Sequence, residues 1–285
     1  MEDNRAEIYK SDIKNDNDPR RFCIDWIESG AKVLDVGCAC GDFGRQLKTE
    51  KNDVEIYGLE YNEDSINIAN KTNSYKEIIR MNLNDLNSLL NIFLIKFDYI
   101  VFGDILEHLN NPIEVLKVFK GYLKENGYFL ISLPNTAHAS IKAGLLNNSF
   151  EYTEAGLLDK THIHLFTYKS LLQLLMSLKL VIEDLKFTNW TNEFGTQNTN
   201  PYEGLPKSVI KYIFKDKHST IVQYVFKCAL SNDSSDIINQ KNIKTFDKFL
   251  QLYKKPKFKL KNVVNKDGFI KKIFFSKKWI TKIII

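Results

Sequence analysis

A glycine-rich turn that follows an acidic residue is the part of this sequence best suited to hold a ligand. The segment VLDVGCACGDFG (33–44) begins as an apolar run and ends in glycines, which predicts a buried strand and then a sharp turn. Gly37, Gly41 and Gly44 allow the backbone to turn tightly and to approach a ligand closely. Their spacing is neither the dinucleotide-binding pattern nor a P-loop. Asp35, on the strand, suits a ligand that carries an ammonium group rather than phosphates.

Polar residues also stand where the next three predicted strands end. Glu60 ends the second strand, where an acidic side chain of a doubly wound fold accepts hydrogen bonds from ribose hydroxyls. Asn82 ends the third strand, in position to meet the edge of an adenine ring, and Gly103 and Asp104 end the fourth. Because the carboxyl ends of parallel strands meet at one edge of a sheet, these residues predict a site for a nucleoside with a charged amino-acid tail.

A histidine lies just past the fourth strand, beside two carboxylates. The ordinary pKa of a histidine side chain is near neutral, so His108 is the best candidate for a general base. Asp104 or Glu107 is expected to orient its ring.

Two further histidines occur in an irregular segment after the fifth strand. One of His162 and His164 is expected to face the site, while the other hydrogen-bonds the scaffold. With His108, and with Asp104 or Asp159, they form a weaker candidate for a metal site. We predict no metal there, because no second carboxylate is clearly placed to complete a ligand shell.

The elements that carry these residues alternate between strand and helix. The predicted strands cover 31–37, 54–60, 75–81, 97–103, 128–134, 180–188 and 219–230. The predicted helices cover 22–28, 42–50, 63–71, 112–124, 167–178 and 206–215. This alternation predicts an α/β fold with a Rossmann-like, seven-stranded, mostly parallel sheet flanked by helices, whose last strand is antiparallel. The segments 135–165 and 188–218 interrupt the pattern and are expected to form a lid over the site.

At these positions the chain resembles class I S-adenosylmethionine (SAM)-dependent methyltransferases. VLDVGCACGDFG is similar to their glycine-rich motif, GLEYN to their ribose-binding acidic motif, and FDYIVFGDILEHL to their fourth motif. The resemblance implies that Gly37 and Gly41 line the methionine part of the cofactor and that Glu60 binds the ribose. Asn82 or Leu83 then flanks the adenine, although many relatives have Asp in place of Asn82. The full predicted set of cofactor contacts is Asp35, Gly37, Cys38, Gly41, Glu60, Tyr61, Asn82, Leu83, Gly103 and Asp104.

The resemblance implies transfer of a methyl group from SAM to an acceptor. Two segments, SLPNTAH (132–138) and LDKTHIHLFT (158–167), resemble a subgroup associated with bacterial cell-surface polysaccharide synthesis, which implies a small hydroxylated, saccharide-type acceptor. A hydroxyl must lose its proton as the methyl group arrives, and the predicted catalytic residues are His108, Asp104 and His162. Two alternatives stay open: a nucleic-acid methyltransferase, and a catalytically inactive SAM-binding or scaffold protein.

Composition indicates a globular protein with a distinct C-terminal extension. The chain has 285 residues, of which 44% are hydrophobic and 26% charged, and it shows neither a membrane-spanning apolar run nor an apolar leader. The four cysteines are expected to be reduced thiols of a cytoplasmic protein. Residues 241–285 hold fourteen lysines and two acidic residues, a net charge of +12, whereas the rest carries −7. We therefore predict a methyltransferase domain over 1–235 and a basic, aromatic-rich extension over 236–285.

The extension mixes lysines with large apolar side chains. Such a segment suits an anionic membrane surface or a protein partner, and would place the protein at the inner face of the membrane. Nucleic acid is a less favoured partner. The alternative to a binding role is that the extension packs on the domain or on a partner and keeps its charged face in solvent.

Overall fold

A computed structural model of the chain describes residues 13, 17–189 and 200–231. The predicted basic extension, 236–285, lies outside these residues, as does part of the predicted lid segment 188–218. Within the described part, no helix is long and apolar enough to cross a membrane. All four cysteines are buried and free, as expected for reduced thiols.

Seven strands, seven α-helices and two short 3₁₀ helices make up the described residues. The strands are β1 (Lys32–Val36), β2 (Glu55–Glu60), β3 (Glu77–Arg80), β4 (Phe97–Gly103), β5 (Leu123–Pro134), β6 (Leu180–Asn189) and β7 (Ile221–Leu230). The α-helices are α1 (Pro19–Trp26), α2 (Asp42–Glu50), α3 (Glu63–Asn70), α4 (Pro112–Lys120), α5 (Ala139–Leu146), α6 (Tyr168–Ser177) and α7 (Lys207–Ile213). The 3₁₀ helices are Leu106–His108 and Lys217–Thr220.

The strands form one sheet in the order β3-β2-β1-β4-β5-β7-β6. The first five strands pair in parallel, and β7 lies antiparallel between β5 and β6. The predicted fold class, with seven strands and an antiparallel last strand, is confirmed. The chain runs outward from β1 in one direction and from β4 in the other, so the crevice of this fold opens at the carboxyl ends of these two neighbours.

The central strands are buried on both faces, because alternate residues point into different hydrophobic clusters. On β1, Leu34 and Val36 enter the larger cluster, whereas Val33 enters the cluster beneath α1 and α2. On β4, Phe102 and Val101 divide in the same way. This two-sided burial fixes the register of the strands, and the register determines how their carboxyl ends align along the edge of the sheet.

Three elements differ from the sequence-based expectation. Helix α5 lies in the segment 135–165, which was expected to be irregular. Its side chains are buried on most sides, so it lacks the amphipathic period that reveals a helix in a sequence, and His138 caps it by accepting a hydrogen bond from the Ser140 N–H. Helix α4 ends at Lys120 rather than near Lys124, and β5 begins at Leu123 rather than at residue 128.

Tyr75, which precedes β3, fixes helix α2 against β1. Its hydroxyl donates to the Asp35 Oδ2 at 2.6 Å and accepts from the Gly44 N–H at 3.1 Å. A Cβ atom at Gly44 would lie 2.3 Å from the Tyr75 Cζ, so only glycine fits at this crossing. The first turn of α2 can therefore approach the sheet closely.

We predict that Gly44→Ala destabilises the protein. The added methyl group meets a ring that two hydrogen bonds hold in place, and such overpacking costs about 1–3 kcal/mol, more than the ~1 kcal/mol that alanine gains over glycine in a helix. Urea denaturation of the variant and the wild type measures the difference. Gly103→Ala is the control, since nothing lies within 4 Å of its added Cβ. A Gly44→Ala variant as stable as wild type would contradict this packing.

Candidate functional site

The turn after β1 has a left-handed backbone and lies at the carboxyl edge of the sheet. Gly37 and Gly41 have φ of 78° and 81°, a region that favours glycine, and Ala39 between them has φ of 44°. The N–H groups of Gly37 and Cys38 donate to the carbonyl of Leu59, at 2.8 and 3.0 Å, which ties the turn to the end of β2. The backbone of the turn, rather than its side chains, is therefore presented to the crevice.

Glu60, the last residue of β2, is held by three backbone amides. Its Oε2 accepts from the Ala39 N–H at 2.9 Å, and its Oε1 accepts from the N–H groups of Tyr61 and Asn62, both at 2.8 Å. A carboxylate can accept about four hydrogen bonds. Glu60 is only partly buried, so this fixed carboxylate keeps acceptor capacity for a ligand.

Asp35, on β1, lies inside the fold. The side chain is buried, and its Oδ2 accepts the hydroxyl of Tyr75. Burial raises the pKa of Asp35 to about 7, and the hydrogen bond from Tyr75 opposes that shift. The structure thus gives Asp35 a partner that sequence analysis missed, since no local pattern links residues forty positions apart. Contact between Asp35 and a ligand ammonium group stays a prediction.

The other predicted contacts after β1, β2 and β3 lie at the same edge of the sheet. Tyr61 is 62% exposed, and Leu83 is buried in the larger hydrophobic cluster. The Asn82 Oδ1 accepts from the Asn84 N–H at 3.0 Å, which shapes the turn after β3. The buried thiol of Cys38 packs beside Gly58, so its side chain points inward and only its backbone faces the crevice.

Asp104, directly after β4, has a strained backbone. Its φ of 54° is uncommon for a non-glycine residue and is often associated with functional sites. Its carboxylate accepts from the Ser132 Oγ of β5 and from the Gln223 Nε2 of β7, both at 2.8 Å. Burial raises its pKa, and these two hydrogen bonds oppose the shift. A Cβ atom added at the neighbouring Gly103 would have no other atom within 4 Å.

Two chain segments that are distant in sequence meet beyond β4. The Glu107 carbonyl accepts from the N–H groups of Ile163 and His164, at 2.9 and 3.0 Å. This contact brings the His108 and His162 rings together, with their centroids 4.8 Å apart. His164 instead points its Nε2 toward the Asn110 carbonyl, at 3.4 Å. The structure therefore places His162, and not His164, beside His108.

The His108 ring is oriented by Thr161. Its Nδ1 lies 3.1 Å from the Thr161 carbonyl oxygen, which can only accept, so Nδ1 carries the proton and Nε2 keeps a lone pair. The expectation that Asp104 or Glu107 orients this ring is wrong. The carboxylate of Asp104 is bonded to β5 and β7, and that of Glu107 has no hydrogen-bond partner.

Glu107 and His162 complete this buried polar cluster. Glu107 is 1% exposed, and its Oε1 lies 3.9 Å from the His162 Nε2, beyond hydrogen-bonding distance. The His162 Nδ1 faces the Leu157 carbonyl at 3.4 Å. Burial raises the pKa of Glu107 well above its usual range and lowers that of His162. The arrangement can accept a proton or coordinate a cation through imidazole nitrogens and a carboxylate.

Solved structures share this fold. A SAM-dependent methyltransferase from Archaeoglobus fulgidus is 22% identical, with a TM-score of 0.51 over 73% of this chain and 90% of that chain. The magnesium protoporphyrin IX methyltransferase from Synechocystis PCC 6803, solved with bound S-adenosylhomocysteine, is 12% identical, with a TM-score of 0.50 over 74% of this chain and 82% of that chain. At these identities the similarity shows the fold alone.

Sequence similarity gives the family. No curated protein matches the chain. The sequence profile of a family described as "Methyltransferase domain" matches residues 9–183, which is more than half of the chain and includes strands β1 to β5. The prediction of a methyltransferase is confirmed, whereas the resemblance to polysaccharide-associated enzymes stays a prediction. The chain belongs to the methyltransferase domain family.

Proposed function

We propose that this chain transfers a methyl group from SAM to a hydroxyl of a small, saccharide-type acceptor. One observation carries the proposal: the fixed Glu60 carboxylate and the His108–His162 pair follow strands that end at the same edge of one sheet. The Glu60 carboxylate suits the ribose of a nucleoside cofactor, and the histidine pair suits an acceptor that must lose a proton.

The residues present at the carboxyl ends of β1, β2 and β3 fit SAM. The left-handed turn at Gly37 and Gly41 offers backbone to the methionine part, and Glu60 offers a charged acceptor to the ribose hydroxyls. Asn82 and Leu83 supply a polar and an apolar contact for the adenine. When bound, SAM supplies an electrophilic methyl group on a sulfonium centre.

The protein's own contribution to methyl transfer is to position the acceptor and to remove its proton. His108 and His162 both turn their Nδ1 toward backbone carbonyls, which leaves each Nε2 free to interact with an acceptor hydroxyl. Asp104 lies between β4 and the 3₁₀ helix that carries His108, and its carboxylate accepts hydrogen bonds from Ser132 of β5 and Gln223 of β7.

The choice of a saccharide acceptor is supported by the resemblance of two segments, 132–138 and 158–167, to polysaccharide-associated enzymes. The two segments form one unit in the structure, because Thr136 donates both its N–H and its Oγ1–H to the Phe166 carbonyl, at 2.8 and 2.7 Å. This unit contains His162 and adjoins His108. His162, which lies within the second of these segments, is thus the residue of this unit that would contact the acceptor.

We predict that Glu60→Ala weakens binding of SAM and S-adenosylhomocysteine about 10–100-fold, because hydrogen bonds to a charged group are worth about 1.5–3 kcal/mol. Isothermal titration calorimetry measures the affinity, and circular dichroism checks that the variant is folded. Glu63→Ala is the matched control, since Glu63 forms a surface ion pair with Arg80. Normal affinity of a folded Glu60→Ala variant would show that the cofactor site is misplaced.

We predict that His108→Ala lowers kcat about 10²–10⁴-fold and leaves SAM affinity unchanged, since it removes a group that acts on the acceptor. Mass spectrometry of nucleotide sugars and lipid-linked saccharides, incubated with SAM and enzyme, identifies the acceptor by the gain of one methyl group. His164→Ala is the control and keeps wild-type turnover. Wild-type turnover by His108→Ala, or methylation of nucleic acid instead of saccharides, would refute the assignment.

A further inference from the structure

We propose that Glu107, His108 and His162 bind one divalent transition-metal ion. One potential ligand atom of each residue lies within 4.8 Å of those of the other two. The cluster combines two imidazoles with one carboxylate, a set that binds zinc and other first-row transition metals in proteins.

The carboxylate of Glu107 is the first argument for a cation. It is 1% exposed, and neither of its oxygens has a hydrogen-bond partner within the part of the chain that the structure describes. Buried carboxylates are normally paired with a charge, hydrogen-bonded or bound to a metal. Among the described residues, the basic group nearest to it is the His162 Nε2, which lies 3.9 Å from the Glu107 Oε1, too far for a hydrogen bond. A cation between them supplies the missing partner.

The orientation of both imidazoles is the second argument. The Nδ1 of His108 lies 3.1 Å from the Thr161 carbonyl, and that of His162 lies 3.4 Å from the Leu157 carbonyl. Metal-binding histidines commonly donate one ring N–H to a carbonyl or carboxylate, which fixes the tautomer and leaves the other nitrogen for the metal. Both rings here have that second contact, and both Nε2 atoms are left to coordinate.

The three proposed ligands lie on two segments, one with Glu107 and His108 and one with His162, that are hydrogen-bonded to each other through their backbones. The Glu107 carbonyl accepts from the N–H groups of Ile163 and His164, and an Asp159 turn fixes Thr161 through two hydrogen bonds. Zinc ligands in a tetrahedral site lie about 3.4 Å apart, given metal–ligand distances near 2.1 Å. The ligand atoms, which lie within 4.8 Å of one another, would have to approach by at most about 1.4 Å (4.8 − 3.4) to hold an ion.

The ligand set also selects the class of ion. Magnesium, calcium and manganese prefer oxygen ligands, whereas two imidazoles favour zinc, copper, iron or nickel. Three protein ligands leave at least one position open, as in catalytic zinc sites. His108 is only partly buried, so a small molecule can reach that position.

This inference rests on the proposed function for its role in catalysis. An acceptor hydroxyl on the open position becomes more acidic. Its oxygen forms the new bond to the methyl carbon as the carbon–sulfur bond breaks, S-adenosylhomocysteine is released, and the hydroxyl proton passes to solvent. With the ion bound, His108 and His162 would serve as its ligands and the ion would acidify the hydroxyl. Without the ion, the Nε2 of His108 would accept the proton directly, as in the proposed function.

The test uses the full-length, tag-free chain after treatment with EDTA and removal of the chelator. Calorimetric titration with zinc is expected to show one ion per chain, and Glu107→Gln and His162→Ala are expected to weaken that binding tenfold or more. His164→Ala is the matched control, because it removes a nearby histidine whose Nε2 faces the Asn110 carbonyl. Glu107→Gln keeps the shape of the side chain, and its melting temperature checks the fold.

Cobalt provides a second readout that does not depend on turnover. Visible absorption bands of a Co²⁺-loaded wild-type chain are expected to be lost in Glu107→Gln and kept in His164→Ala. Absence of stoichiometric zinc and cobalt binding, or equal binding by both cluster variants and the wild type, would overturn the proposal. SAM affinity is measured in parallel. A wild-type chain that binds SAM but no metal refutes only the metal site. A wild-type chain that does not bind SAM refutes the proposed function.

Discussion

The site depends on one constraint, which is that the turn after β1 must hold a left-handed backbone against the end of β2. Three amides, those of Ala39, Tyr61 and Asn62, converge on the Glu60 carboxylate, and two more converge on the Leu59 carbonyl. These hydrogen bonds hold two strand ends and the turn as one rigid unit. A carboxylate held in this way stays oriented without a ligand, so binding does not have to order it.

The same sheet positions the second half of the site through its last strands. Gln223 of β7 and Ser132 of β5 both bond to Asp104, so the antiparallel strand that completes the sheet also fixes the residue after β4. The chain then enters the 3₁₀ helix that carries Glu107 and His108, and the N–H groups of Ile163 and His164 donate to the Glu107 carbonyl. Because β1 and β4 are neighbours, the cofactor half and the acceptor half lie side by side.

Local patterns in the sequence predict most of the sheet and the positions, along it, of the residues proposed to bind the cofactor. The strands are short apolar runs, and Gly37, Gly41 and Glu60 stand at strand ends, where spacing alone predicts their place. Sequence analysis misses the partners that hold these residues, Tyr75 and Gln223 among them, because these contacts join distant parts of the chain. It also assigned a carboxylate to orient His108, where Thr161 does so. Helix α5 was missed because burial on most sides removes its period.

The central claim is that a nucleoside cofactor and a hydroxylated acceptor meet at the carboxyl ends of β1 and β4. The most direct measurement is a crystal structure of the chain with S-adenosylhomocysteine. The account predicts that both ribose hydroxyls hydrogen-bond to Glu60, that the amino-acid part lies along the Gly37–Gly41 turn, and that the sulfur faces the side of the crevice that holds His108. A ligand bound elsewhere, or one whose ribose makes no contact with Glu60, would contradict the account.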